Sequence, residues 1–392
     1  MKLYKTYNMK NIIKFILFII TLLILLILSK QNFESVKDSV IIFITSVLPS
    51  LFPFIFFTEV ILHTNIIDIL SRIFGNIISK VFKVNKNSTS AIIIGFLCGF
   101  PMGSKTVSTL YMQNKISRRD AKVLLSFVNN CNPAFILSTV GIAVFYNMQI
   151  GIILLISHIF SSILIGVIYS RIHHNDIIHE KTNFLNTFNE KTNKRLKNLS
   201  SFEIIKMSIL SAFKTLANIL GFIIIFNLLF NIIFTISSKA NIDSNILKFI
   251  SSIFEVTKGA HNINNMSINL NAKILLTSFA LGFSGLCIIC QVYSTVCESK
   301  FKLKDIFIPK VFHGIISCFI TYILLRFITI SDVTTVSVFS NIEESQVTDS
   351  YFSNMKFYYL ISTLLIILSL LIYRIILYIN KKRKKNKSSL LK

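Results

Sequence analysis

The sequence predicts an all-α, polytopic membrane protein with about eight to ten membrane segments. Three observations carry that prediction. The 392 residues are 53% hydrophobic and only 15% charged, with a mean hydropathy of +0.67, far too apolar for a soluble domain of this length. Seven apolar runs are each long enough to cross a bilayer core of about 20 helical residues. The basic residues gather between those runs rather than within them.

Taken in order, the first run is Asn11 to Ser29. Its basic flank (Lys2, Lys5, Lys10, Lys14) resembles that of a secretory signal, but Ser29-Lys30-Gln31 offers no small-residue cleavage site, so a retained first span is expected. Further runs lie at 39–62, 123–145, 149–170, 207–236, 306–328 and 357–379, and three shorter or interrupted ones at 88–112, 246–257 and 271–297. Ile66 to Phe82 reads as amphipathic. The only sizeable polar insert is the loop 171–206, which leaves no soluble catalytic domain.

A net charge of +24 invites nucleic acid as a partner, and the placement of the charge argues against it. Lys and Arg crowd the N-terminus, NKISRRDAK (114–122), the loop 171–206, SKFKLKDIFIPK (299–310) and the tail KKRKKNK (381–387). The loop 329–355 carries Asp332, Glu343, Glu344 and Asp349 and neither Lys nor Arg. That asymmetry places the basic loops and both termini in the cytoplasm. The tail 380–392 has the charge to attract anionic lipid, roughly 1 kcal/mol per basic residue. The six cysteines fall in or beside apolar runs, where Cys acts as a small buried hydrophobe. Cys287-Ile-Ile-Cys290 lacks a second ligand pair, so no metal and no cofactor is expected.

Two apolar segments are broken by glycine. Residues 95–109 read GFLCGFPMGSKTVST and residues 279–295 read FALGFSGLCIICQVYST. Gly99, Phe100, Pro101 and Gly103 thus find counterparts in Gly282, Phe283, Ser284 and Gly285, and each break is followed by hydroxyls and then a basic segment. The pattern suggests a duplication, 11–170 and 207–379, each unit with a hairpin, 88–112 and 271–297. Hydrocarbon tolerates unpaired backbone only where protein or water covers it, so a broken segment lines a cavity or is buried. Glycine-interrupted segments at corresponding places in two halves point to a transporter's substrate site, and helix ends at such tips suit an anion. The spacing Gly95-x3-Gly99-x3-Gly103 also satisfies a plain helix-packing motif.

Ionisable and polar residues at membrane depth mark the same region. Glu59 ends the proline-broken run LPSLFPFIFFTEVIL and Glu255 ends FISSIFEVTKG. A charge inside a span costs about 2.5 to 3.5 kcal/mol on insertion scales, which makes both candidates for proton or cation coupling. Either could equally snorkel from a helix end. Lys105 and Lys258 are their natural partners, or those of an anionic substrate. Ser104 and the amides Asn130 and Asn132 of FVNNCNPAF are further ligand candidates, while His158 and His313 read as packed or interfacial.

The motifs LPSLFPFIFFTEVI, GFLCGFPMGSKT, SFVNNCNPAFILSTVG, FEVTKG and GFSGLCIICQVYS resemble the sporulation integral membrane protein YlbJ family from about residue 38 to 330. The resemblance implies two hairpin units known as nucleoside-recognition or Gate domains, a role in endospore formation, and dipicolinic acid as the substrate moved from mother cell toward forespore. It also implies a membrane surrounding the forespore as the location. The residues themselves are compatible with a flat aromatic dianion: cations to pair its carboxylates, and Phe100, Phe283 and Tyr293 to stack its ring. The competing expectations are a carrier of nucleosides or another small metabolite and a non-transporting scaffold or sensor. No nucleophile and base stand at catalytic spacing, so an enzyme is not expected. Whether the repeats run parallel or inverted, and whether the chain forms a homo-oligomer, the sequence leaves open.

Overall fold

A computed structural model describes residues 12–330 apart from 13, 14, 17, 18, 20, 21, 24, 65, 174–199, 239–242, 300 and 329. The first expected span is therefore described only in part, and most of the loop 171–206, the acidic loop 329–355, the span 357–379 and the tail 380–392 lie outside the described residues. The described chain is helical and without strands, and five of its helical stretches, one of them (270–299) broken at Ser284, are long and apolar enough to cross a membrane. The protein is an integral membrane protein.

Helix α1 (Ser29–Leu62) passes through a π-turn at Phe43–Val47 and contains Pro53. It is followed by the amphipathic α2 (Ile66–Phe82). Then come two short helices, α3 (Thr89–Leu97) and α4 (Met102–Met112), with a break between them. The expected span 123–145 is likewise two pieces, α5 (Arg118–Phe127) and the π-helical α6 (Phe135–Val144), and α7 (Met148–Ile172) closes the first half. The second half opens with the long α8 (Ser201–Ser238). It continues as α9 (Ser244–Phe254), α10 (Val256–Asn264), α11 (Leu270–Phe283), α12 (Gly285–Val296) and α13 (Lys304–Phe327).

Local chemistry sets several of these starts. Ser117 accepts the Asp120 N–H at 3.0 Å to open α5, Asn147 accepts from Gln149 and Ile150 to open α7, and Asn269 accepts from Ala272 to open α11. Each is a short polar residue satisfying a first-turn donor that has no intrahelical partner. Arg119, inside the stretch expected to be a cytoplasmic basic loop, is instead buried. It donates to the Lys83, Ser170 and His173 carbonyls and to Asp120, tying α5 to the end of α7.

The packing between halves is reciprocal. Taken in order, α3 to α7 and α9 to α13 make matching contacts: α5 lies on α13 and α11 on α7, and α4 lies on α12 and α10 on α6. Helices α7 and α13 cross where His158 and His313 bring their rings to 4.5 Å. In this order Phe127…Cys131…Ser138-Thr139-Val140 lines up with Phe283…Cys287…Ser294-Thr295-Val296. The break GFSG therefore corresponds to FVNNCNP, and the counterpart of the GFPMG break is the one at Glu255. The sequence-based pairing of GFPMG with GFSG matched two glycine clusters; the fold matches neighbours in space. Helices α1 and α8 stand beside this core, joined by the Asn227 amide donating to Ser39 at 2.9 Å and by Phe52 against Phe213.

Candidate functional site

The first break folds its two arms onto each other. A Cβ at Gly95 would stand 2.2 Å from the Val128 carbonyl oxygen, and one at Gly103 would stand 2.3 Å from the same oxygen and 3.0 Å from the Gly95 Cα. Gly99 adopts φ +75°, and a Cβ there would meet the Asn132 nitrogen at 2.8 Å. The turn itself thus needs glycine, and the arms need two more for close approach. Gly99 and Gly103, expected to contact substrate, contact backbone instead. The Phe100 N–H donates to the Asn130 carbonyl at 2.9 Å, so the tip is held by the 128–134 break.

The second fold-back is α9 onto α10, where a Cβ at Gly259 would stand 2.2 Å from the Ser252 Cα. Its apex is Glu255, in extended conformation and 3% exposed. The carboxylate caps α10 with both oxygens, Oε1 accepting the Thr257 N–H at 2.9 Å and Oε2 the Lys258 N–H at 2.7 Å. Two first-turn donors and the positive end of a short helix hold one buried carboxylate. Lys258 contributes its backbone N–H, and its side chain is half-buried.

A cavity of about 30 Å³ lies between these apices. Its walls are Phe100, Asn132 and Phe135 from the first half; Glu255, Val256, Thr257, Ile288 and Gln291 from the second; Val47, Ser50 and Leu51 of α1; and Ile219 and Ile223 of α8. Phe100, Asn132 and Glu255 were legible as site residues. Ser50, Thr257 and Gln291 were not, although Gln291 was visible as a lone amide in an apolar run. At this volume the cavity admits a water or two, against the roughly 300 Å³ or more that an organic ligand needs.

The other expected residues are placed elsewhere. Lys105 is ion-paired with Glu59, whose side chain is 2% exposed, and also donates to Ser211 at 3.0 Å and reaches Thr215 at 3.5 Å. The pair joins α4 to α1 and α8, so Lys105 is not a free cation and Glu59 does not snorkel. Ser104 donates to the Pro101 carbonyl and accepts from Thr295 of α12. Asn130 donates to the Phe127 carbonyl, and its Oδ1 is buried without a partner among the described residues. Gly282 packs on Gly314 of α13, where a Cβ would come within 2.8 Å of the Gly314 Cα. Phe283 stacks on Phe279 in the core. Ser284 and Gly285 take φ +70° and +73°, and a Cβ at Gly285 would lie 3.3 Å from the Ser252 carbonyl at the end of α9. Helices α11 and α12 diverge from that turn, α11 along α13 and α12 against α4, α8 and α9. None of 282–285 lines the cavity.

The chain is similar to the sporulation integral membrane protein YlbJ of Bacillus subtilis (strain 168). Identity is 24% over 317 residues, covering 75% of this chain and 78% of that protein. This bears out the YlbJ-family resemblance carried by the motifs. No family model and no solved structure matches the chain. The relative's name gives sporulation and a membrane location.

Proposed function

We propose that the protein is a sporulation-associated transporter of a small organic anion, with dipicolinic acid moved from mother cell toward forespore as the substrate that fits best. The cavity between the two apices is its site, in a membrane surrounding the forespore, with the termini on the cytoplasmic side. The observation that carries this reading is Glu255: a carboxylate already sits in the cavity wall, on the two free N–H groups of α10. The same donors would hold a substrate carboxylate once Glu255 leaves. Protonation would weaken its hold, because a neutral carboxyl is a poorer acceptor than a carboxylate. Entry of substrate and a proton on Glu255 are then one coupled event, which is what a secondary transporter requires.

The two apices give the site its hinges. A helix break can reorient at little cost because no continuous backbone ladder spans it, and the cavity must enlarge about tenfold to hold an aromatic dicarboxylate. Phe100 would supply the stacking face, and Asn132, Thr257 and Gln291 the polar edge. The role is binding and passage, with no bond made or broken.

The experiment is uptake of labelled dipicolinate into proteoliposomes by the wild-type protein and by Glu255→Gln, with monodispersity and thermal unfolding as folding controls. Uptake by the wild type that the variant loses, or that no longer responds to a pH gradient, supports the reading. A folded wild-type protein that moves no dipicolinate refutes it, and uptake of a nucleoside in its place would identify the other substrate class.

A further inference from the structure

We propose that His158 and His313, with Lys310, form a buried proton site, separate from Glu255, whose loading releases the 128–134 break from α7. The inference rests on the transport reading for its purpose: a dianion carries two charges, and one proton at Glu255 balances only one of them. Neither histidine lines the cavity or takes part in the roles assigned so far. Both are 1% exposed, and they meet where α7 and α13 cross between the halves.

Hydrogen-bond partners fix where each proton resides. The Cys131 backbone N–H donates to His158 Nε2 at 3.0 Å, so that nitrogen is bare. The neutral ring must then carry its hydrogen on Nδ1, which is buried without a partner among the described residues. His313 Nε2 lies 3.0 Å from the His158 carbonyl oxygen, which only accepts, so it is the protonated nitrogen of that ring. His313 Nδ1 is therefore bare, and Lys310 Nζ donates to it at 3.2 Å. Lys310 is 3% exposed, and no carboxylate reaches it within 4.0 Å among the described residues. A lysine, two imidazoles and an orphaned N–H share a space closed to water, and intramembrane ionisable groups of this kind mark proton paths.

The groups facing the rings are few. Lys310 comes from α13, and Cys131, whose thiol donates to the Leu281 carbonyl, comes from the break. Helix α11 meets α13 here through Ser278, bonded to Ser317 and Thr321, and its one lysine, Lys273, is about one and a half turns earlier. Helix α6 carries no charged residue, and α12 has only Cys287 and Cys290 to titrate besides Tyr293. Arg119 and Asp120 of α5 and the α2 contact through Arg171 meet α7 about three turns away, near Ser170.

The consequence follows from one atom. A proton on His158 Nε2 would set an N–H donor against the Cys131 N–H donor, so the proton and that hydrogen bond exclude each other. The segment they hold contains Asn130, whose carbonyl fixes the Phe100 tip, and Asn132, which lines the cavity. Proton uptake at His158 thus frees the wall of the substrate site from the crossing of α7 and α13.

Hydrogen–deuterium exchange of the full chain in lipid nanodiscs, corrected for intrinsic rates, tests this over a pH series from about 7.5 down to about 4, wide enough for an imidazole buried beside a lysine to take a proton. The wild type should lose roughly tenfold protection at residues 128–134 on acidification. His158→Gln should not, because its carboxamide oxygen can still accept from Cys131 and binds no proton. Protection that is independent of pH in the wild type, or that falls equally in His158→Gln, overturns the inference; the wild-type arm decides even if the variant does not fold. Dipicolinate uptake by the same preparation separates the two readings. No uptake with a pH-responsive break refutes transport alone, and uptake with an unresponsive break refutes the proton site alone.

Discussion

Lys105 is the residue on which a substrate role and a structural role are most easily confused, and the Glu59 pair separates them. Glu59 is 2% exposed and Lys105 29%, so the pair is sealed on the carboxylate side and open on the other. Removing one partner of a buried pair costs about 3 to 5 kcal/mol, because the survivor is left charged and unpaired. The partial exposure of Lys105 lets water relieve a stranded Lys105 more than a stranded Glu59. Lys105→Met should therefore cost about 3 kcal/mol and Glu59→Gln about 2 kcal/mol. The double variant strands neither charge and should cost about 2 kcal/mol, leaving a coupling energy of about 3 kcal/mol. Denaturant-driven unfolding in mixed micelles measures the cycle, and dipicolinate uptake is read on the same four proteins. Recovery of both stability and uptake in the double variant makes Lys105 a structural partner. Recovery of stability with uptake still lost makes it a substrate or coupling residue. Additive single costs, with coupling below about 0.5 kcal/mol, would refute the buried pair itself.

Other consequences can be measured alongside. Gly95→Ala drives a methyl to 2.2 Å from a backbone oxygen that cannot move aside, so it should cost about 3 kcal/mol or abolish the folded protein on size-exclusion chromatography. Gly221→Ala, in α8 with nothing within 4 Å of the added Cβ, should instead be neutral or raise the unfolding temperature by the equivalent of about 0.5 to 1 kcal/mol. Glu255→Ala removes a cap that serves two donors and should cost about 1 to 2 kcal/mol, with faster amide exchange confined to the first turn of α10.

The membrane class, the helical fold and the positions of the helix breaks were legible because each is written in local composition: apolar length, glycine, proline, and a carboxylate in an apolar run. Glu255 and Asn132 were found this way, and both line the cavity. What failed was correspondence between the halves. Gly282 and Gly285 look like Gly99 and Gly103, yet the first pair packs on α13 and α9 while the second packs on the backbone of the 128–134 break, Gly99 at Asn130 and Asn132 and Gly103 at the Val128 carbonyl. Glycine records close approach without naming the partner. The His158–His313 contact was hidden for a similar reason, since two single histidines 155 residues apart in apolar helices carry no sign of meeting until α7 and α13 cross. The two helices do share a register, Ser162 and Ser317 following each histidine by four residues and Arg171 and Arg326 by thirteen, but a register does not name a contact.

The breaks also explain why a chain so apolar keeps so many polar contacts inside. Every interrupted helix frees backbone N–H groups, and each must be met at membrane depth. Here the Phe100 N–H is met by the Asn130 carbonyl, those of Thr257 and Lys258 by Glu255, and that of Cys131 by His158. Two of these three acceptors are groups that a proton can take away, and none belongs to the helix ladder. A fully helical bundle would satisfy the same donors with carbonyls four residues back, which neither a proton nor a substrate carboxylate can displace. Interrupting the helices exchanges fixed acceptors for replaceable ones: the Glu255 bonds lie in the cavity wall, and the His158 bond holds the segment that carries Asn132 of that wall.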